Sequence, residues 1–155
     1  PYLLPGWRAA PARAAAAYER SLRAAQTAAH EAGLQIWQTI PFWYRTVMVA
    51  GQSLEDRVLA VSDGVVVMAY RNGADDVQAL AGPVLDRGAR QGLPVLVAVE
   101  TTCVDPPRVS FCGQSGPQLA QALDRVASGL RGSPAFAGLA VHSYPGWARL
   151  DGAGR

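Results

Sequence analysis

Glu100 is the residue best placed to do chemistry. It closes the apolar run Val95-Leu96-Val97-Ala98-Val99, so its carboxylate stands where a buried strand gives out. Burial raises the pKa of such a carboxyl group, and a neighbouring guanidinium such as that of Arg71 lowers it again. A carboxylate at this position can act as a nucleophile or as the electrostatic stabiliser of a cationic transition state. Glycoside hydrolysis needs two carboxyl groups, ~5–5.5 Å apart for retention or ~6.5–9.5 Å for inversion. No second acid of this chain stands at a strand end: Asp63 precedes its strand and Asp105 lies in a loop. A structural Glu100, paired with Arg71 or hydrogen-bonded to Tyr70, is the alternative to a functional one.

Other chemistry-bearing side chains fall at similar points. They are Trp43 and Tyr44, then Tyr70 with Arg71, then His142 and Tyr144, with Trp147 just beyond. Trp43, Tyr70, Tyr144 and Trp147 offer flat faces on which sugar rings could stack, or they are packing residues, as most aromatics are. Trp37 reads as packing. Arg71 orients Glu100 or meets an acidic group of a substrate, and His142 bonds a substrate hydroxyl or a structural partner. Neither a metal nor an organic cofactor is expected. The only other histidine, His30, lies on an outer helix, and no metal-ligand spacing occurs. Gly113-Gln114-Ser115-Gly116 lacks nucleophile-elbow spacing and reads as a helix start. Cys103 and Cys112 bracket the loop after Glu100. Bridged, they would stiffen that loop and point to an exported protein; otherwise they are two ordinary thiols.

The elements that must position these residues alternate along the chain. Pro11–Glu31 has helical periodicity, with Pro11 in the first turn and Gly33 at the stop. A β-rich segment covers Leu34–Tyr44, and Ser53–Val61 makes a short helix behind a Ser53/Asp56 cap. Val65–Tyr70 is a continuous apolar strand of the kind covered on both faces. Asp75–Arg90 is a helix, perturbed at Gly82-Pro83 and ended by Gly92. Pro94–Thr101 is a second buried strand, Pro117–Leu130 an amphipathic helix and Gly138–Tyr144 the last strand, with a short helix or turn from Pro145 to Leu150. Helix and buried strand in alternation mean a parallel sheet with right-handed crossovers. No phosphate-binding glycine fingerprint follows any strand, so a nucleotide-binding open sheet has no support. In a (β/α)8 barrel every strand end would converge on one face, where active sites sit.

The series Ile40-Pro41-Phe42-Trp43-Tyr44, Met68-Ala69-Tyr70-Arg71, Val99-Glu100-Thr101 and Val141-His142-Ser143-Tyr144 resembles bacterial glycoside-hydrolase-like (β/α)8 barrels. Met68-Ala69-Tyr70 is similar to the Met-x-Tyr strand of chitinase-like enzymes, and Glu100 to the strand-seven carboxylate of retaining barrel glycosidases. The resemblance implies a single domain over 1–155 that forms strands five to eight, the C-terminal half of the barrel, with Pro1–Pro5 as the tail of strand four. It also implies a carbohydrate ligand and a missing N-terminal half-barrel as partner. Two departures stand out. Arg71 occupies the place where chitinase-like enzymes carry Asp, and the strand-four general acid would precede Pro1. A non-catalytic carbohydrate-binding barrel, or an independent open α/β domain, fits the same residues.

Composition narrows the classes. Of 155 residues 50% are hydrophobic and 17% charged, and the net charge is +2, which excludes a disordered chain. All basic residues are Arg and none forms a block or stripe, so nucleic acid is not an expected partner. The apolar run at Gly64–Tyr70 is far too short for a bilayer, and no signal peptide opens the chain.

Overall fold

The computed structural model describes Leu3, Gly6, Trp7 and residues 9–150. Four of the five residues read as the tail of a strand four, Pro1, Tyr2, Leu4 and Pro5, lie outside the described residues. The chain forms two compact units, Pro1–Val65 and Val66–Arg155. Its architecture is α/β: four strands make one parallel sheet in the order β1-β4-β5-β6, and a two-stranded ribbon stands apart.

In the first unit, α1 (Pro11–Glu31) starts on Pro11, whose missing N–H costs a first turn nothing. It buries Ala15, Glu19 and Leu22. Glu19 is buried because two guanidinium groups meet it, Arg23 at 2.7 Å and Arg57 of the next helix at 2.5 Å. Strand β1 (Trp37–Pro41) is shorter than the residue types suggest. Phe42–Thr46 turns into a single 3-10 segment, so Phe42, Trp43 and Tyr44 leave the strand rather than end it. Two short strands follow, β2 (Met48–Val49) and β3 (Gln52–Ser53), antiparallel about Ala50 and Gly51, whose φ values of 49° and 83° make the tight turn. Alternation alone gave no sign of so short a ribbon. Helix α2 (Leu54–Leu59) has the expected cap: Ser53 Oγ accepts the Asp56 N–H at 3.0 Å. Asp63 fixes the exit of α1, meeting His30 Nε2 at 2.9 Å and accepting the Ile36 N–H at 2.7 Å. Trp37 lies over Gly64, the first residue of β4 (Gly64–Met68), where a Cβ would stand 2.5 Å from the indole ring.

The second unit is built on β5 (Val95–Glu100), in which Val95, Val97, Ala98, Val99 and Glu100 are all buried. A strand covered on both faces reads as a continuous apolar run, and this one does. Helix α3 (Ala74–Gln91) packs on it so closely that a Cβ on Gly88 would meet the Leu93 carbonyl oxygen and Val95 Cγ2 at 2.8 Å. The helix runs unbroken through Pro83, and Gly82 before it carries no Cβ to crowd the proline ring. Gly92, at φ 65°, ends it. Helix α4 (Gly116–Leu130) opens on a full capping box: Ser115 Oγ accepts the Gln118 N–H and Gln118 Oε1 accepts the Ser115 N–H. That settles the role of the Gly113–Gly116 segment as a helix start. Strand β6 (Phe136–His142) pairs in parallel with β5 and remains half exposed along most of its length. It leads into α5 (Tyr144–Leu150).

Candidate active site around Glu100 and His142

The register of β5 and β6 builds the site. Leu96 to Glu100 face Gly138 to His142 one for one after an irregularity at Val95, which sets Glu100 directly beside His142 at the strand ends. Glu100 is only 5% exposed. Its Oε2 lies 2.7 Å from His142 Nδ1, while Oε1 accepts the backbone N–H groups of Thr102 at 2.6 Å and Thr101 at 2.9 Å. Burial pushes the Glu100 carboxyl up. The hydrogen bonds from Thr102 and His142 pull the other way and prevail, holding it below its ordinary value. Glu100 is therefore an anion at neutral pH, suited to stabilising positive charge and unsuited to donating a proton.

Around this pair the chain is tied tightly. Thr101 Oγ1 lies 3.0 Å from the His142 carbonyl and 3.1 Å from that of Ser143, and it accepts the Ser143 N–H at 3.1 Å. The loop after β5 folds back on itself. Ser110 Oγ donates to the Thr102 carbonyl at 2.6 Å, the Phe111 N–H reaches the Glu100 carbonyl at 2.8 Å, and Cys103 is bridged to Cys112 with their Cα atoms 5.0 Å apart. That spacing is normal for a disulfide. A cross-link closing this loop limits how far Thr102 can stray from the carboxylate it donates to.

Of the other expected site residues, Tyr70 stands two residues past β4, and its ring stacks on the His142 imidazole at 6.2 Å with an interplanar angle of 25°. The Arg71 guanidinium donates to the Tyr70 carbonyl at 2.6 Å. Tyr144 and Trp147 form an edge-to-face pair on α5, 6.4 Å between centroids, and are 74% and 44% exposed. Trp43 belongs to the first unit, where it packs edge-to-face on Tyr44 at 5.1 Å. Trp37, read as packing, covers Gly64 yet keeps 37% of its surface exposed.

Sequence reasoning missed Thr101, Thr102, Ser110 and Ser143. Hydroxyl residues in a loop carry no pattern of their own. Only the position of Thr101 and Thr102 directly after a strand-end acid signals that their N–H groups could turn back onto it. Gly146 was missed as well: a Cβ there would stand 2.5 Å from Thr101 Oγ1, so α5 approaches the strand end more closely than any other residue allows. Among the described residues no group of three His, Cys, Asp or Glu side chains is gathered as a metal site would need. None of their helices is long and apolar enough to cross a membrane. No family model matches the chain, and neither a curated protein nor a solved structure matches it.

Proposed function

We propose that this chain is the C-terminal half of a (β/α)8 barrel of the glycoside-hydrolase-like kind and acts on a carbohydrate, with Glu100 as its anionic catalytic carboxylate. The observation that carries the reading is an ionised Glu100 at the C-terminal end of a buried parallel strand, with His142 beside it. Strand ends of this kind hold the active sites of barrels. The strand order supports the barrel too. Strands added in sequential order are the arrangement of a barrel wall, whereas a doubly wound sheet reverses its order. Tyr144 and Trp147 supply exposed rings on which a sugar can stack, and Tyr70, Arg71 and His142 complete the proposed binding set in the second unit. The second carboxyl group, the general acid, comes in this reading from the other half-barrel. The Cys103–Cys112 bridge supports an exported protein.

The test is a polysaccharide panel given to the intact protein and to its Glu100→Gln variant. The reading expects glycan cleavage by the wild type, no cleavage by the variant, and retained folding and binding in both. A variant that cleaves as well as the wild type removes Glu100 from catalysis. The near-complete burial of Glu100, with both oxygens already hydrogen-bonded, favours a second reading, a barrel that binds glycans without cleaving them. Binding by wild type without cleavage on any member of the panel would select it.

A further inference from the structure

The two histidines of the chain are held by opposite ring nitrogens. His30 uses Nε2, which lies 2.9 Å from both oxygens of Asp63. His142 uses Nδ1, 2.7 Å from Glu100 Oε2. An ionised carboxylate can only accept, so in the neutral imidazole the proton of His142 must sit on Nδ1, and Nε2 is left with its lone pair. The His142 side chain is 61% exposed, and Nε2 makes no hydrogen bond to the described residues. Tyr70, stacked nearly parallel to the ring, restrains its plane. A buried carboxylate on one imidazole nitrogen and an open lone pair on the other is the arrangement by which enzymes turn histidine into a general base.

We propose that His142 is the proton-accepting residue of this site, its Nε2 taking the proton of a ligand hydroxyl group or of a water bound with the ligand, and that Glu100, in addition to the role proposed above, positions it through Nδ1. This rests on the site proposed above but not on the ligand being a carbohydrate. The step is a simple transfer. The hydroxyl O–H bond breaks, an Nε2–H bond forms, and the electron pair stays on the oxygen. The resulting imidazolium keeps its Nδ1–H on Glu100, whose negative charge offsets the new positive one. The Glu100 anion is already in place before the transfer, fixed by Thr101 and Thr102, so little reorganisation accompanies it.

The arrangement makes an unusual demand on Glu100→Gln. The Gln oxygen must take the place of Oε1, because an NH2 group there would face the N–H donors of Thr101 and Thr102. The Gln NH2 then points at His142 Nδ1, which can only accept from it. Every hydrogen bond survives, but the neutral imidazole must move its proton to Nε2, and the open lone pair is lost.

Long-range 15N–1H spectra of the intact protein at alkaline pH, where imidazoles are neutral, test this directly. In the wild type His142 is expected as the Nδ1–H tautomer and His30 as the Nε2–H tautomer. In Glu100→Gln the His142 signals are expected to exchange to the Nε2–H pattern while His30 stays unchanged. Diethylpyrocarbonate gives a chemical readout, with the adduct on Nε2 of His142 in the wild type and that adduct lost in the variant. A wild-type His142 in the Nε2–H form overturns the proposal without recourse to any variant. So does an Nδ1–H pattern that persists in Glu100→Gln. A failed glycan panel with the expected tautomers would count against the carbohydrate reading alone.

Discussion

Gly146→Ala tests how tightly α5 is tied to the end of β5. In a helix this substitution should be favourable, by up to about 1 kcal/mol, because Ala has less backbone entropy to lose. Here the added Cβ would stand 2.5 Å from Thr101 Oγ1 and 2.8 Å from both the carbon and the oxygen of the Thr101 carbonyl. Two of those atoms are backbone, so no rotamer change relieves them, and α5 must retreat by roughly half an ångström to restore ordinary contact. Overpacking of this kind costs about 1–3 kcal/mol, which outweighs the propensity gain. We expect a net loss of about 1–2 kcal/mol, read as a melting temperature lower by roughly 2–8 °C in a chain of this size. The amide resonances of Thr101 and Ser143 should move with it, since Thr101 Oγ1 accepts the Ser143 N–H. Thr101→Ala should not rescue the variant, because the carbonyl contacts remain. A Gly146→Ala protein as stable as the wild type, with those amides unmoved, would refute the close approach.

Two further outcomes are expected. Arg23 foremost, against the effect of burial, and then Arg57 hold the Glu19 carboxyl below its ordinary value. A lowered folded-state pKa means the stabilisation is complete above the usual carboxylate range and fades as pH falls through the folded value. Glu19→Gln should therefore lower the urea midpoint at neutral pH, by about 1–3 kcal/mol in stability, and lose less at acidic pH; a pH-independent loss would contradict the ion pairs. Reduction of Cys103–Cys112, which closes a loop of sequence separation 9, should cost about 2–3 kcal/mol by loop entropy and open residues 103–112 to proteolysis. An unchanged denaturant midpoint and cleavage pattern after reduction would show that Ser110 and Phe111 hold the loop unaided.

The features legible in the sequence were those set by periodicity and covalent punctuation. Val95-Leu96-Val97-Ala98-Val99 could only be a covered strand, and Pro11, Gly92 and Ser115 mark the helix ends where the chain places them. The strand over Leu34–Tyr44 was overextended: Phe42, Trp43 and Tyr44 are good β formers, yet the chain turns after Pro41, and tertiary packing of Tyr44 decides the matter. The perturbation expected at Gly82-Pro83 does not interrupt the helix, which continues through Pro83 to Gln91; Gly82 carries no Cβ to crowd the proline ring. Of the site, Glu100 and His142 were visible as strand-end residues. Their pairing depends on register between strands 42 residues apart, which no local pattern encodes. The backbone donors of Thr101 and Thr102 leave no trace in side-chain chemistry at all.

Glu100 acts as a pre-formed anion rather than a proton donor, and its own titration measures this. The 13C chemical shift of the Glu100 carboxyl, followed in acid, should titrate below the ordinary glutamate value of about 4.3, since the donors of Thr102 and His142 outweigh burial. A Glu100 that titrates above that value would mean that desolvation prevails. Only a carboxyl group that kept its proton into the neutral range would leave His142 without its fixed tautomer and contradict the assignment of Glu100 as a standing anion.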